Sequence, residues 1–128
     1  LFNKPFQSYG LCFRESGTGE LAILDVLCTD LGLTTPFIRS TKFNSPTSFN
    51  ADYTSNRLPN QINWFRIADD GVNRICSISA DGQNWVVIHT VGRTDFLTAD
   101  QVGFCISTEN SAVPNTAPIL TLWNWTQA

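Results

Sequence analysis

Apolar residues along this chain recur mostly at every second position, in runs of six to ten, and the runs are broken by clusters of Gly, Asp, Asn, Ser and Pro. This period predicts strands near 9–14, 19–28, 36–43, 61–68, 73–80, 83–91, 101–107 and 117–125. Turn signals fall between them at Ser16-Gly17-Thr18-Gly19, Asp69-Asp70-Gly71, Asp81-Gly82, Arg93-Thr94-Asp95 and the 110–118 stretch. Many short strands so punctuated predict an all-β sandwich or barrel. The nine Phe, four Trp and two Tyr agree, because aromatic side chains suit a pleated, half-buried surface.

The sharpest local prediction lies at Arg74–His89. Asp81-Gly82 between two extended runs signals a two-residue type I′ hairpin, since both residues tolerate positive φ. Pairing outward from that turn sets Ile78 against Trp85, Cys76 against Val87 and Arg74 against His89, with Trp85 driven into the core. His89, the only histidine, is then a rim residue.

Three segments leave alternatives. Leu21, Leu24, Leu27 and Cys28 recur at helical spacing, but Ser16–Gly19 makes a natural hairpin with 9–14 and favours a strand. Thr98 offers a cap for one helical turn over 98–101. The polar stretch Asn44–Pro59, with two prolines among its serines and threonines, is expected to be a long loop between sheets.

Strand faces supply the candidate chemistry. If Phe65 and Ile67 enter the core, Trp64 and Arg66 stand together on the outer face. An indole that stacks on a sugar ring, beside a guanidinium that donates to hydroxyls, makes a candidate carbohydrate-binding pair. The competing reading is that Arg66 packs over Trp64 as a cation–π pair. Val102, Phe104 and Ile106 face one way and Gly103, Cys105 and Ser107 the other. The last strand sends Ile119, Thr121, Trp123 and Trp125 to one side. Strands apolar on both sides suggest a neighbouring protein, self-association or a further domain against the outside, or else an aromatic ligand surface.

Composition narrows the function class. The 128 residues predict one domain, 1–128, large enough for a core. Charged residues are 15% and the net charge is −3, with no basic cluster, which argues against nucleic acid. No apolar run nears the ~20 residues of a membrane-spanning helix. The start Leu1-Phe-Asn-Lys-Pro lacks both Met and a signal pattern, so a piece of a longer polypeptide is expected. Cys12, Cys28, Cys76 and Cys105 are widely spaced with no Cys-x-x-Cys pair. Reduced core thiols are favoured over one or two disulfides, and a metal site is not expected. Asp69-Asp70-Gly71 lacks the spaced oxygens of a calcium loop. Glu15, Glu20 and Glu109 do not form a paired-carboxylate motif, and no nucleophile triad or phosphate loop assembles. No catalytic residue, cofactor or enzymatic activity is therefore expected.

Trp64-Phe-Arg-Ile67, Asp70-Gly-Val-Asn-Arg74, Ser79-Ala-Asp81-Gly82-Gln-Asn-Trp85, Arg93-Thr-Asp-Phe-Leu97 and Gln101-Val-Gly-Phe104 together resemble a concanavalin A-like lectin/glucanase domain. The resemblance spans roughly Gly10 to Trp125. It is greatest to the variety found in bacteriophage virion proteins and in some secreted bacterial sugar-binding modules. It implies a jelly-roll β-sandwich of two antiparallel sheets, with ligands on the concave face or rim loops. The calcium-and-sugar loop of legume lectins has no counterpart here, so metal binding does not carry over. The implied role is a non-enzymatic structural and adhesion module on the surface of a phage particle (tail, fibre or capsid), meeting other virion proteins or host glycans. The alternative is an extracellular carbohydrate-binding module of a secreted bacterial protein.

Overall fold

The computed structural model describes residues 6–29, 36–58, 62–107 and 126. They form eight strands, and no helix occurs among them: β1 Gln7–Arg14, β2 Leu21–Cys28, β3 Phe37–Ser45, β4 Ser48–Arg57, β5 Trp64–Asp69, β6 Asn73–Ser79, β7 Val86–Gly92 and β8 Gln101–Ser107. One antiparallel sheet runs β4-β3-β2-β1-β8 and the other β5-β6-β7. The chain is an all-β sandwich. The expected strand 117–125, with Trp123 and Trp125, lies outside the described residues.

β2 is the centre of the larger sheet and is buried along its whole length. That burial explains why its sequence, apolar on nearly every position, also fits a helical period; the hairpin into it decides for strand. Glu15 and Glu20 close the turn backbone to backbone, and Gly19 takes the positive φ of +82° that the reversal needs. On the inner face Leu24, Val26 and Ile38 meet Cys76 and Ile78 of the smaller sheet, with Phe65, Ile67 and Ile88 packed alongside. Tyr9 and Phe65 close that core edge to face, centroids 5.9 Å apart. On the outer face of the larger sheet Cys12, Leu21, Ile23 and Phe43 cluster. Beside them Arg39 grips Asp25 through Nε (3.0 Å) and Nη2 (2.7 Å), with both side chains almost fully buried.

Two expectations fail, one because of a strand's position in its sheet and the other because local side-chain to backbone bonding outweighs turn propensity. The segment expected as a long loop over 44–59 is largely β4, joined to β3 through a Pro46-Thr47 turn and paired from Ser45↔Ser48 to Phe37↔Arg57 with three register shifts. Its sequence, SFNADYTSNR, is polar because the strand lies at the end of the sheet and much of it faces solvent. The β6–β7 connection is not a two-residue type I′ turn. Only Gly82 has positive φ. The loop is six residues, 80–85, because Asp81 Oδ1 accepts the N–H groups of Gln83 and Asn84, and Ser79 Oγ accepts that of Gly82. Ile78 therefore pairs with Val86, and a bulge after Cys76 sets that residue against His89 and Arg74 against Val91. The turn expected at 98–101 carries no helix; Asp100 instead accepts from Ser16 of the neighbouring turn.

All four cysteines are free thiols, three of them buried. Burial pushes the Cys12 and Cys76 thiols up, which keeps them protonated and unreactive.

Candidate functional site

Strand alternation builds one surface. In β5 the inward residues Phe65 and Ile67 pack on the core, so Trp64 and Arg66 point outward, as their positions imply. Across the sheet Trp64 pairs with Ser79 and Arg66 with Ser77. Those two serines are buried, at 3% and 1% exposure, while Trp64 is 40% exposed. Larger neighbours therefore roof the serines.

The loop supplies the third member of this surface. Trp85, expected in the core, turns instead to the outer face, where the Arg66 guanidinium carbon lies 4.4 Å from its ring centre. The six-residue loop is the cause: with the register moved by one, Val86 takes the place opposite Ile78 that Trp85 was expected to fill. Trp64 is held by the same loop. A β-carbon on Gly82 would come within 2.9 Å of the Trp64 indole, so the ring rests against that glycine. The cation–π partner of Arg66 is thus Trp85 rather than Trp64.

The loop is fixed chiefly by Asp81. Its carboxylate is held well below the usual range, first by the N–H of Asn84, then by the Asn84 amide, the Gln83 N–H and the Ser79 hydroxyl. The outer face of the smaller sheet thus carries the Trp85 indole against the Arg66 guanidinium, with Trp64 on the same face of β5 resting on the pinned loop: apolar ring surface and a fork of donors. Such a surface can stack on a pyranose and hydrogen-bond its hydroxyls.

Other acidic groups serve their own turns. Asp70 Oδ1 accepts from Val72 and Asn73, and Asp69 accepts from Gly71 and pairs with Arg93 at 2.8 Å. The Gly71 N–H and then Arg93 lower the Asp69 carboxyl, and the Asn73 and Val72 N–H groups lower that of Asp70. Among the described residues no cluster of His, Cys, Asp and Glu has metal-binding geometry.

A second polar group lies between the sheets and was not foreseen. Tyr53 of β4 stacks on His89, centroids 4.6 Å apart, and its hydroxyl donates to the Asp95 carboxylate. Lys42 Nζ sits 4.7 Å from the Tyr53 ring, and Arg74 Nη2 donates to the Asp95 carbonyl. His89 is therefore an inter-sheet residue and not a rim residue. Burial first, then the Arg74 charge, lowers its pKa; burial and the Asp95 carboxylate hold the Tyr53 phenol far above its usual value. Tyr53 lies in the segment expected as loop, and the bulge that aims it inward has no sequence signature.

No protein-family model, curated protein or solved structure matches the chain.

Proposed function

We propose that this domain is a non-enzymatic recognition module that contacts cell-surface glycans through Trp64, Arg66 and Trp85. The observation that carries the reading is the placing of two indoles and a guanidinium on one outer sheet face, beside a loop held by six hydrogen bonds to Asp81 and Ser79. A surface prepared in this way loses little side-chain freedom when a ligand docks. Commitment of Asp69, Asp70 and Asp81 to their own loops, and of Asp100 to Ser16 of the neighbouring turn, supports a binding rather than a hydrolytic role.

The setting we favour is a bacteriophage particle surface, where a jelly-roll module of concanavalin A type packs against other virion proteins or its own copies. The resemblance of the Trp64–Phe104 segments is the support for that setting, and a secreted carbohydrate-binding module is the alternative. Val102, Phe104 and Ile106 favour the assembly reading, because these three side chains of β8 are 42–47% exposed in one row.

A glycan array on the purified chain tests the proposal. Trp64→Ala should weaken any glycan bound by ~1–3 kcal/mol, taking base–aromatic stacking as the yardstick. Glycan binding unchanged in a folded Trp64→Ala variant removes this face from the reading.

A further inference from the structure

The space between the sheets is not uniformly apolar. Toward β3, β4, β6 and β7 it holds Lys42, Tyr53, Thr54, Arg74 and His89. Arg74 is 2% exposed, and of its guanidinium only Nη2 has an acceptor; Nε and Nη1 have none. His89 Nε2 and Thr54 Oγ1 are buried without partners as well. Buried polar groups nearly always find partners, so several unmet ones gathered on one side of a sandwich call for an explanation.

Charge points the same way. Lys42 Nζ lies over the rings of Tyr53 and Phe96, at 4.7 and 5.5 Å, and makes no ion pair among the described residues. The carboxylate beside the cluster, Asp95, is engaged by the Tyr53 hydroxyl, and its carbonyl by Arg74. Two fixed cations thus face one carboxylate. Next to Asp95, Phe96 is held at φ 66°, a conformation costly for an aromatic residue. Lys42 and His89 are half-buried and Asp95 is exposed, so the cluster reaches toward solvent on its Asp95 side.

We propose that this inter-sheet cluster is a binding site for a small oxyanion, whose oxygens would accept from the free Arg74 N–H groups and from Lys42, beside Thr54 and His89. The ligand class is a carboxylate, sulfate or phosphate group, free or carried on a larger molecule. The site shares no residue with the Trp64 face, so either can fail without the other.

His89 makes the test direct, because the chain has one histidine and so one set of imidazole resonances. The intact chain is titrated with sodium acetate, sulfate or phosphate at constant ionic strength held with sodium chloride. A saturable shift of the His89 signals with at least one oxyanion, and none with chloride alone, is the expected result. Saturation by acetate alone points to a carboxylate ligand, and by sulfate or phosphate to an ester of those acids. Lys42→Gln should weaken binding roughly tenfold, the loss of one charge-assisted hydrogen bond, and Arg74→Gln should abolish it. Should Arg74→Gln not fold, the Lys42→Gln comparison decides. Signals that do not move, that move equally with chloride, or that saturate unchanged in Lys42→Gln overturn the proposal.

Discussion

Arg39→Met is the most direct test of what holds the larger sheet together. Asp25 sits in the middle of β2 with its side chain 1% exposed, and Arg39 reaches it from the paired position on β3 through two hydrogen bonds. Methionine fills much of the same volume but removes the countercharge. Asp52 is 3.8 Å from Arg39 and a third exposed, so its loss of partner matters little. Loss of the Arg39 countercharge from the buried Asp25 carboxylate should then cost about 3–5 kcal/mol, against a total stability on the order of 5–15 kcal/mol for a domain of this kind. For a chain of this length that is a fall in melting temperature of roughly 10–20 °C. Urea unfolding followed by tryptophan fluorescence, with calorimetry alongside, measures both numbers. The double variant Asp25→Leu/Arg39→Met should recover most of the loss, because two well-packed apolar side chains replace a buried pair at little net cost. A single-variant loss below about 1 kcal/mol, the range of an exposed pair, would show that the pair is hydrated and that β2 is not sealed on that face.

Leu24→Ala, at a position with no exposure in the main core, should lose about 2–5 kcal/mol in the same unfolding assay. Gly82→Ala places a β-carbon at φ +76° against the Trp64 indole, and should cost roughly 1–2 kcal/mol while shifting the Trp64 emission; an unchanged spectrum would mean the ring does not rest on the loop. Stability should fall on acidification in two stages. His89 has a lowered folded pKa, so its contribution is present above its unfolded value near 6.5 and declines below it as the unfolded chain takes up the proton first. Asp69, Asp70, Asp81 and Asp100 are likewise lowered, and their contributions decline below about pH 4. His89→Gln should flatten the first stage in denaturant midpoints measured from pH 8 to 5 and leave the second.

Period-two alternation made most of the strands legible: β8 has the bounds that its pattern implies, and β1, β2, β3, β5 and β6 differ by a few residues at their ends. The outward pointing of Trp64 and Arg66 was legible too, because Phe65 and Ile67 claim the core between them. Position in the sheet was not. β4 is rich in Ser, Asn and Asp, which resemble loop residues unless one knows that the strand faces solvent at the end of its sheet. The place of Trp85 was also hidden, since it depends on whether Asp81 takes a tight turn or spends its carboxylate on the N–H groups after it. A register change of one residue then moved the indole from the interior to the face it shares with Arg66. The Tyr53–His89 stack needed both of these unseen features at once.

The irregular pairing of β4 bears on how copies of this domain can approach one another. An end strand with open N–H and C=O groups invites a foreign strand to continue the sheet, and aggregation follows when it is long, flat and apolar. β4, at 10 residues, is long but neither flat nor apolar: three register shifts interrupt its pairing, and Asn50, Asp52, Asn56 and Arg57 break up its surface. Sheet extension is therefore discouraged along that margin, and a neighbour that docks there must do so through side chains, with a geometry that a change of residue can tune.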